Sequence, residues 1–201
     1  MTDKASLKDK KKKKRKKRIF AAATKLFKNK GYTDTTISDI AKNADVGVGT
    51  IYNYFPSKND ILLNIVADIC IEKKPDEIIY ENDPVKTLFS YLSSYFDEFS
   101  VFDKEIWCGW FAALFKERNL IEKAFQLDLK IVGELAGICE KMQEKKMITA
   151  DVPAQEIAMA VYTPFISWMM SYIMLPEMDK QSAKQEIESH VNLLFRGIRS
   201  S

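Results

Sequence analysis

From Thr36 to Lys58 the chain reads TISDIAKNADVGVGTIYNYFPSK. The pattern leaves room for little but two short helices and a tight turn. Thr36 is placed to cap the first helix, with the Asp39 carboxylate in its first turn. Ile37, Ile40 and Ala41 share a face at i, i+3, i+4. Ala44-Asp45-Val46-Gly47 interrupts that pattern, and Gly47 suits either a helix cap or a backbone angle that other residues resist. The second helix is expected from about Val48 to Tyr54. Ile51 and Phe55 would pack on the first helix, leaving Val48, Gly49, Thr50, Tyr52 and Asn53 outside. A short helix with a polar, aromatic outer face, crossed on a partner helix, is the geometry of helix-turn-helix DNA binding.

The residues Ile37-x-x-Ile40-Ala41, Val46, Gly49-Thr50-Ile51-Tyr52-x-Tyr54-Phe55 and Ser57-Lys58 closely resemble the DNA-binding segment of the TetR (tetracycline repressor) family. The resemblance covers roughly Ile19 to Val66. It implies that Tyr52 packs on the DNA backbone and base methyls, and that Lys58, at the start of the fourth helix, binds a phosphate. It also implies that Thr36 lies on the phosphate side, that Thr50 and Tyr54 belong to the motif, and that Val48 and Gly49 occupy variable base-reading positions. Tyr54 equally fits packing against the first helix. Val48 and Gly49 offer no side-chain hydrogen bond, so base readout falls to Thr50 and Asn53. Affinity should then lean on phosphates and DNA shape.

Charge is divided along the chain. Residues 1–18 hold eleven Lys/Arg against Asp3 and Asp9, while the remainder is acidic by six charges. A basic arm on an acidic body points to a polyanion partner for the arm. Lys14, Arg15, Lys17 and Arg18 are its DNA-contact candidates, and residues 1–18 are expected to be a flexible arm running into helix one, ordered only from Lys14 to Arg18 onward. No apolar stretch of a signal peptide follows.

With 46% hydrophobic residues and only seven glycines and six prolines in 201 residues, an all-α fold of about nine helices is expected. A helix-turn-helix domain with its connecting helix should span 19–74. A ligand-binding and dimerisation domain should span 84–201, after a connector at 75–83. Asp83-Pro84 marks a helix start. Gly133-x-x-x-Gly137 suggests close helix packing. Ile157 to Leu175 is uncharged and long enough to span a bilayer, but Thr163, Pro164, Ser167 and Ser171 favour a buried helix, bent or opened at Pro164. Cys70, Cys108 and Cys139 are too widely spaced for a zinc or disulfide framework and are expected as buried thiols.

The resemblance implies a homodimer through the last two helices and a small-molecule inducer bound in the C-terminal domain. The stripe Ile187, Val191, Leu194, Phe195 and Ile198 is the expected dimer face. Phe89, Phe96, Trp107, Trp110, Phe111, Phe115, Met142, Tyr162, Phe165 and Trp168 are the candidates to line an apolar pocket for an apolar or aromatic ligand, or alternatively form core. Enzymatic chemistry finds no support: His190 stands alone, and no nucleophile set, carboxylate pair, metal-ligand cluster or phosphate loop appears. The expected partner is a double-stranded DNA operator, with no cofactor, no metal and no membrane, in the cytoplasm. The competing class is a membrane-attached helical scaffold using the basic arm and residues 157–175.

Overall fold

The structure is a computed structural model. It describes the backbone of residues 2–72 and 80–198, and the side chains of 10–68 and 80–196. Among the described residues it has nine α-helices and no strand: α1 (Thr2–Lys30), α2 (Ile37–Asn43), α3 (Val48–Tyr52), α4 (Lys58–Glu72), α5 (Pro84–Phe99), α6 (Lys104–Leu114), α7 (Arg118–Glu144), α8 (Ala154–Met174) and α9 (Lys180–Ile198). The chain forms two compact units. The first combines Met1–Val66 with Glu105–Leu120, and the second combines Ala67–Lys104 with Ile121–Ser201. The expected division placed α6 with the C-terminal domain; it groups instead with the helix-turn-helix unit. Most of the connector expected at 75–83 lies outside the described residues.

In the first unit, Ile19, Ala22, Ala23 and Phe27 of α1 meet Ile40, Ala41, Ile51 and Phe55 in a shared apolar interior. The stripe at helical spacing forces α1 to turn one face inward. Gly31 ends α1 with φ 83°, a left-handed conformation open to glycine. At Gly109, α6 passes so close to the first unit's α1–α2 connector that an added Cβ would lie 3.3 Å from Thr33 Oγ1 and Tyr32 Cδ1.

Helix α1 starts at Thr2, so the basic segment is wound into the same helix instead of forming a flexible arm. Lysine is a good helix former, and the apolar stripe from Ile19 anchors a helix that can extend outward. Repulsion between like charges at i, i+4 opposes this extension only weakly.

In the second unit, Asp83 caps α5 by accepting from the Val85 N–H at 2.9 Å, with Pro84 at the first helical position. Helices α5 and α8 pack on α9. Asp97 of α5 takes Lys180 and Lys184 of α9, each at 2.6 Å. Burial pushes the Asp97 carboxyl up, but the two ammonium groups win and hold it below the ordinary carboxylate range. Lys104 donates to the carbonyls of Leu175 (2.8 Å), Pro176 (3.3 Å) and Met178 (2.6 Å), closing the C-terminal end of α8.

Helix α8 is long and apolar enough to cross a membrane by length and composition. Its Ile157, Ala158, Val161, Tyr162, Phe165, Met169 and Ile173 are nonetheless buried. It runs through Pro164 without ending. The hydroxyls of Thr163 and Ser171 donate to the carbonyls of Met159 and Ser167 within the helix, at 2.9 and 3.0 Å.

Three expectations need correction. Ile187, Val191 and Phe195 are sealed at 1% exposure or less and form core, so they leave no surface for a partner. Leu194 is half-buried, the Ile198 side chain lies outside the described residues, and Leu193 is the exposed apolar residue of α9, at 62%. Helical spacing identified the apolar face of α9 correctly, but that face is used inside the monomer. The close packing expected at Gly133 and Gly137 is not found, because a Cβ at either position would meet nothing within 4 Å. Cys139 is buried, its thiol pushed up to about 12 by burial and by Glu140, but Cys108 is exposed. The Cys70 side chain lies outside the described residues.

The burial pattern predicts that Phe195→Ala lowers unfolding stability by about 3–5 kcal/mol, whereas Leu193→Glu changes monomer stability little. Denaturant titrations of the two variants provide the check.

Candidate nucleic-acid interface

The interface is built outward from α2. The Thr36 hydroxyl accepts from the Asp39 N–H at 3.1 Å, and the Asp39 carboxylate accepts from the Thr36 N–H at 3.0 Å, a reciprocal cap. Lys30, in the last turn of α1, bonds the same carboxylate at 2.7 Å. The Lys30 and Thr36 bonds hold the Asp39 carboxyl down at about 2. Thr36 is therefore occupied with capping, although its side chain stays exposed.

Helix α3 is short, and its N-cap, Gly47, makes no side-chain bond. Ile51 is fully buried and pins it to the unit. Val48, Gly49, Tyr52 and Asn53 are exposed, Thr50 half-buried. Tyr52, at 53%, is the large aromatic of this face. Tyr54 is half-buried, with its ring 6.2 Å from that of Phe55, which itself stacks on Phe20 of α1. Tyr54 thus shares in the packing toward α1.

Lys58 is where the geometry departs most from sequence. Its ammonium donates to the carbonyls of Tyr32, Thr33 (3.0 Å) and Thr35 (2.8 Å), and lies 4.4 Å from the centre of the Tyr32 ring. All three N–H donors of a lysine are accounted for by these bonds. Burial lowers its pKa. Lys58 closes the α1–α2 connector, leaving no donor for a phosphate in this conformation. One signal was available: a lysine at the first position of a helix opposes the helix dipole and needs another partner. Beside it, Asn59 accepts from the Tyr32 hydroxyl and donates to Glu117 Oε1 at 2.8 Å. Burial first, then Glu117 and Asp60, pushes the Tyr32 phenol up.

Arg18 is also engaged. Its Nη2 donates to the carbonyls of Ala44 (2.6 Å) and Asp45 (3.0 Å) and to the Asp45 carboxylate (2.9 Å), on the turn between α2 and α3. Lys14, Arg15 and Lys17 are exposed on α1. On a helix, Lys11, Lys14 and Arg15 fall on the side of Arg18, while Lys12, Lys13, Lys16 and Lys17 turn elsewhere. The first unit carries 18 Lys/Arg against 8 Asp/Glu and the second 13 against 20, so the positive potential belongs to the unit that bears α3.

Of the ten expected pocket residues, Trp107, Trp110, Phe111 and Phe115 belong to the first unit, and Phe115 is 70% exposed. Phe89, Phe96, Met142, Tyr162, Phe165 and Trp168 belong to the second. Phe96, Met142, Tyr162 and Phe165 are buried there, and the Tyr162 hydroxyl donates to Asp128 at 2.6 Å. Burial raises the Asp128 carboxyl. Trp168 instead lines an open groove of about 540 Å³ between α8 and α9, with Thr163, Pro164, His190, Leu193 and Leu194.

An exposed, aromatic-bearing helix held crosswise on a capped partner, in a strongly cationic unit, defines a helix-turn-helix DNA-binding protein. Residues 19–65 match the family described as "Bacterial regulatory proteins, tetR family". The match identifies this N-terminal segment as a tetR-type DNA-binding domain, and the rest of the chain lies outside it. Over 74 residues it is 45% identical to the HTH-type transcriptional regulator HbdR of Aromatoleum sp. (strain CIB), a match covering 35% of this chain and 32% of that protein. The chain thus spans about a third of that relative's length.

Solved structures share the fold over nearly the whole chain. FadR of Thermus thermophilus, described as a TetR-family transcriptional repressor in complex with lauroyl-CoA, superposes with TM-score 0.70 and 24% identity, covering 92% of this chain and 97% of that one. The regulator FadR of Bacillus subtilis, in complex with stearoyl-CoA, gives TM-score 0.65 and 21% identity, covering 90% and 98%.

Two substitutions separate the contact face from its support. Tyr52→Ala should leave the melting temperature unchanged and weaken operator binding by about 1–3 kcal/mol. Lys58→Ala leaves three carbonyls without their donor and should lower stability by about 1–3 kcal/mol. Thermal melts alongside fluorescence anisotropy distinguish the two.

Proposed function

We propose that this chain is a transcriptional regulator that binds a palindromic operator as a homodimer and is released from it by a small apolar or aromatic ligand. The observation that carries the reading is the outer face of α3, with Val48, Gly49, Tyr52 and Asn53 presented to solvent and Thr50 half-buried among them, in the same unit as the cationic α1. Val48 and Gly49 give the groove shape without hydrogen bonds, Thr50 and Asn53 supply the polar contacts, and Tyr52 packs on backbone and base methyls. Lys14, Arg15 and Lys17 meet phosphates along the α1 extension, Lys14 and Arg15 from the side of Arg18. The protein acts in the cytoplasm, where the chromosome of a bacterium lies.

Two half-sites about 34–36 Å apart call for a two-fold partner. The α8–α9 groove, with the exposed Leu193 on its rim, supports that face as the dimer contact. The ligand reading rests on the second unit, whose α5, α7 and α8 bury Phe96, Met142, Tyr162 and Phe165. Two structures of the same fold hold acyl-CoA molecules, which makes a long acyl chain a sensible first probe. Stabilisation by lauroyl-CoA or stearoyl-CoA in a thermal shift, with loss of DNA binding, tests this part.

Leu193→Glu is expected to yield monomer in sedimentation and to abolish operator binding; a parent protein already monomeric at micromolar concentration would overturn the dimer. Removing residues 1–14 deletes seven cations. Because only one side of a helix faces a duplex, about half of them can reach phosphates, so the slope of log affinity against log salt should become shallower by about 3. Anisotropy across a salt series measures it, and an unchanged slope would make the basic extension a solvated helix.

A further inference from the structure

Arg18 closes a run of nine consecutive cations, and sequence alone assigns it to phosphate. Its bonds assign it elsewhere. One nitrogen, Nη2, holds the Ala44 carbonyl at 2.6 Å, the Asp45 carbonyl at 3.0 Å and the Asp45 carboxylate at 2.9 Å. These groups make up the turn that aims α3. Ala44 is the C-cap of α2, where helix carbonyls have no partner within the helix. Asp45 has φ 50°, a left-handed conformation that a non-glycine residue holds only when its surroundings favour it. The turn is otherwise tied by backbone bonds: Asp45 N–H to the Lys42 carbonyl at 3.3 Å, and Val46 N–H to the Ala41 carbonyl at 3.0 Å. Helix α3 itself spans Val48–Tyr52, has no side-chain N-cap and is too short to hold its own direction.

We propose that Arg18 is a positioning residue for operator recognition: by bracing the α2–α3 turn from α1, it sets the angle at which α3 meets the major groove. This rests on the DNA-binding reading above. Arg18 belongs to the same compact unit as the turn, so the brace works within that unit. The Asp45 carboxylate, 96% exposed on its side chain, would repel a phosphate if left alone, and Arg18 neutralises it. In this role Arg18 affects discrimination between sequences, whereas a phosphate contact strengthens binding to all DNA alike.

The test compares parent, Arg18→Ala and Asp45→Gly on a selected operator fragment and on random DNA, by anisotropy across a salt series. A parent that binds both DNAs equally defeats the DNA-recognition reading itself, whatever Arg18 does. Given a parent preference, Arg18→Ala should reduce the operator-to-random affinity ratio about tenfold, with the salt slope on random DNA unchanged. Asp45→Gly accepts the left-handed φ without strain and so keeps the fold; it removes one brace bond and should also lower the ratio. An unchanged ratio in both variants overturns the proposal. An unchanged ratio in Arg18→Ala, with slopes on both DNAs shallower by about 0.9, identifies a phosphate contact instead.

Discussion

The first unit depends on carbonyl groups that its own backbone cannot satisfy. Helix α1 gives way to a left-handed glycine, α2 begins after the connector 31–36, and α2 is followed by a left-handed aspartate. Each junction leaves oxygens pointing away from helical N–H groups, and a partly buried carbonyl without a donor is costly. Lys58 answers the first junction with bonds to Tyr32, Thr33 and Thr35, and Arg18 answers the second at Ala44 and Asp45. Lys104 does the same for the end of α8 in the second unit. Long cationic side chains serve here because they reach across from a neighbouring helix and bring several donors to one place.

This explains which parts of the structure could be read from sequence. Caps were legible because they are local: Thr36 with Asp39 and Asp83 with Pro84 sit where their spacing places them. Apolar stripes located the helices and their inner faces, from Ile19 to Phe27 and from Ile187 to Phe195. Spacing could not say whether an inner face meets the same chain or a second copy, and so the α9 stripe was misassigned while Leu193 went unnoticed. The resemblance sends Lys58 to a phosphate, and its place in the basic run does the same for Arg18. Their actual partners are backbone oxygens 23 to 27 positions away in the chain, which no local pattern records. The basic extension was expected to be flexible because like charges repel, but helical order continues outward from the anchored stripe.

The distribution of charge fits a protein with two tasks. The unit bearing α3 is strongly basic and the other acidic, so electrostatic attraction to a polyanion acts on the unit that carries α3. Attraction alone gives no sequence preference. In the proposed reading, preference comes from a small exposed surface, Tyr52 with Thr50 and Asn53, oriented by the bonds behind it. Helix α6 lies in the same unit, against Tyr32 and Thr33 at Gly109, and Asn59 links Tyr32 to Glu117. The region next to the recognition module is therefore tightly packed, and shifts in α6 would be felt by the connector that Lys58 closes.

In the proposed reading, α3, braced in this way, recognises a two-fold DNA site. In vitro selection from random duplexes, followed by hydroxyl-radical footprinting of the enriched sequence, addresses it most directly. An enriched inverted repeat with protected half-sites centred about 34–36 Å apart is expected, with loss of both enrichment and protection in Tyr52→Ala. Selection that returns no common sequence, or a Tyr52→Ala footprint identical to that of the parent, would contradict it.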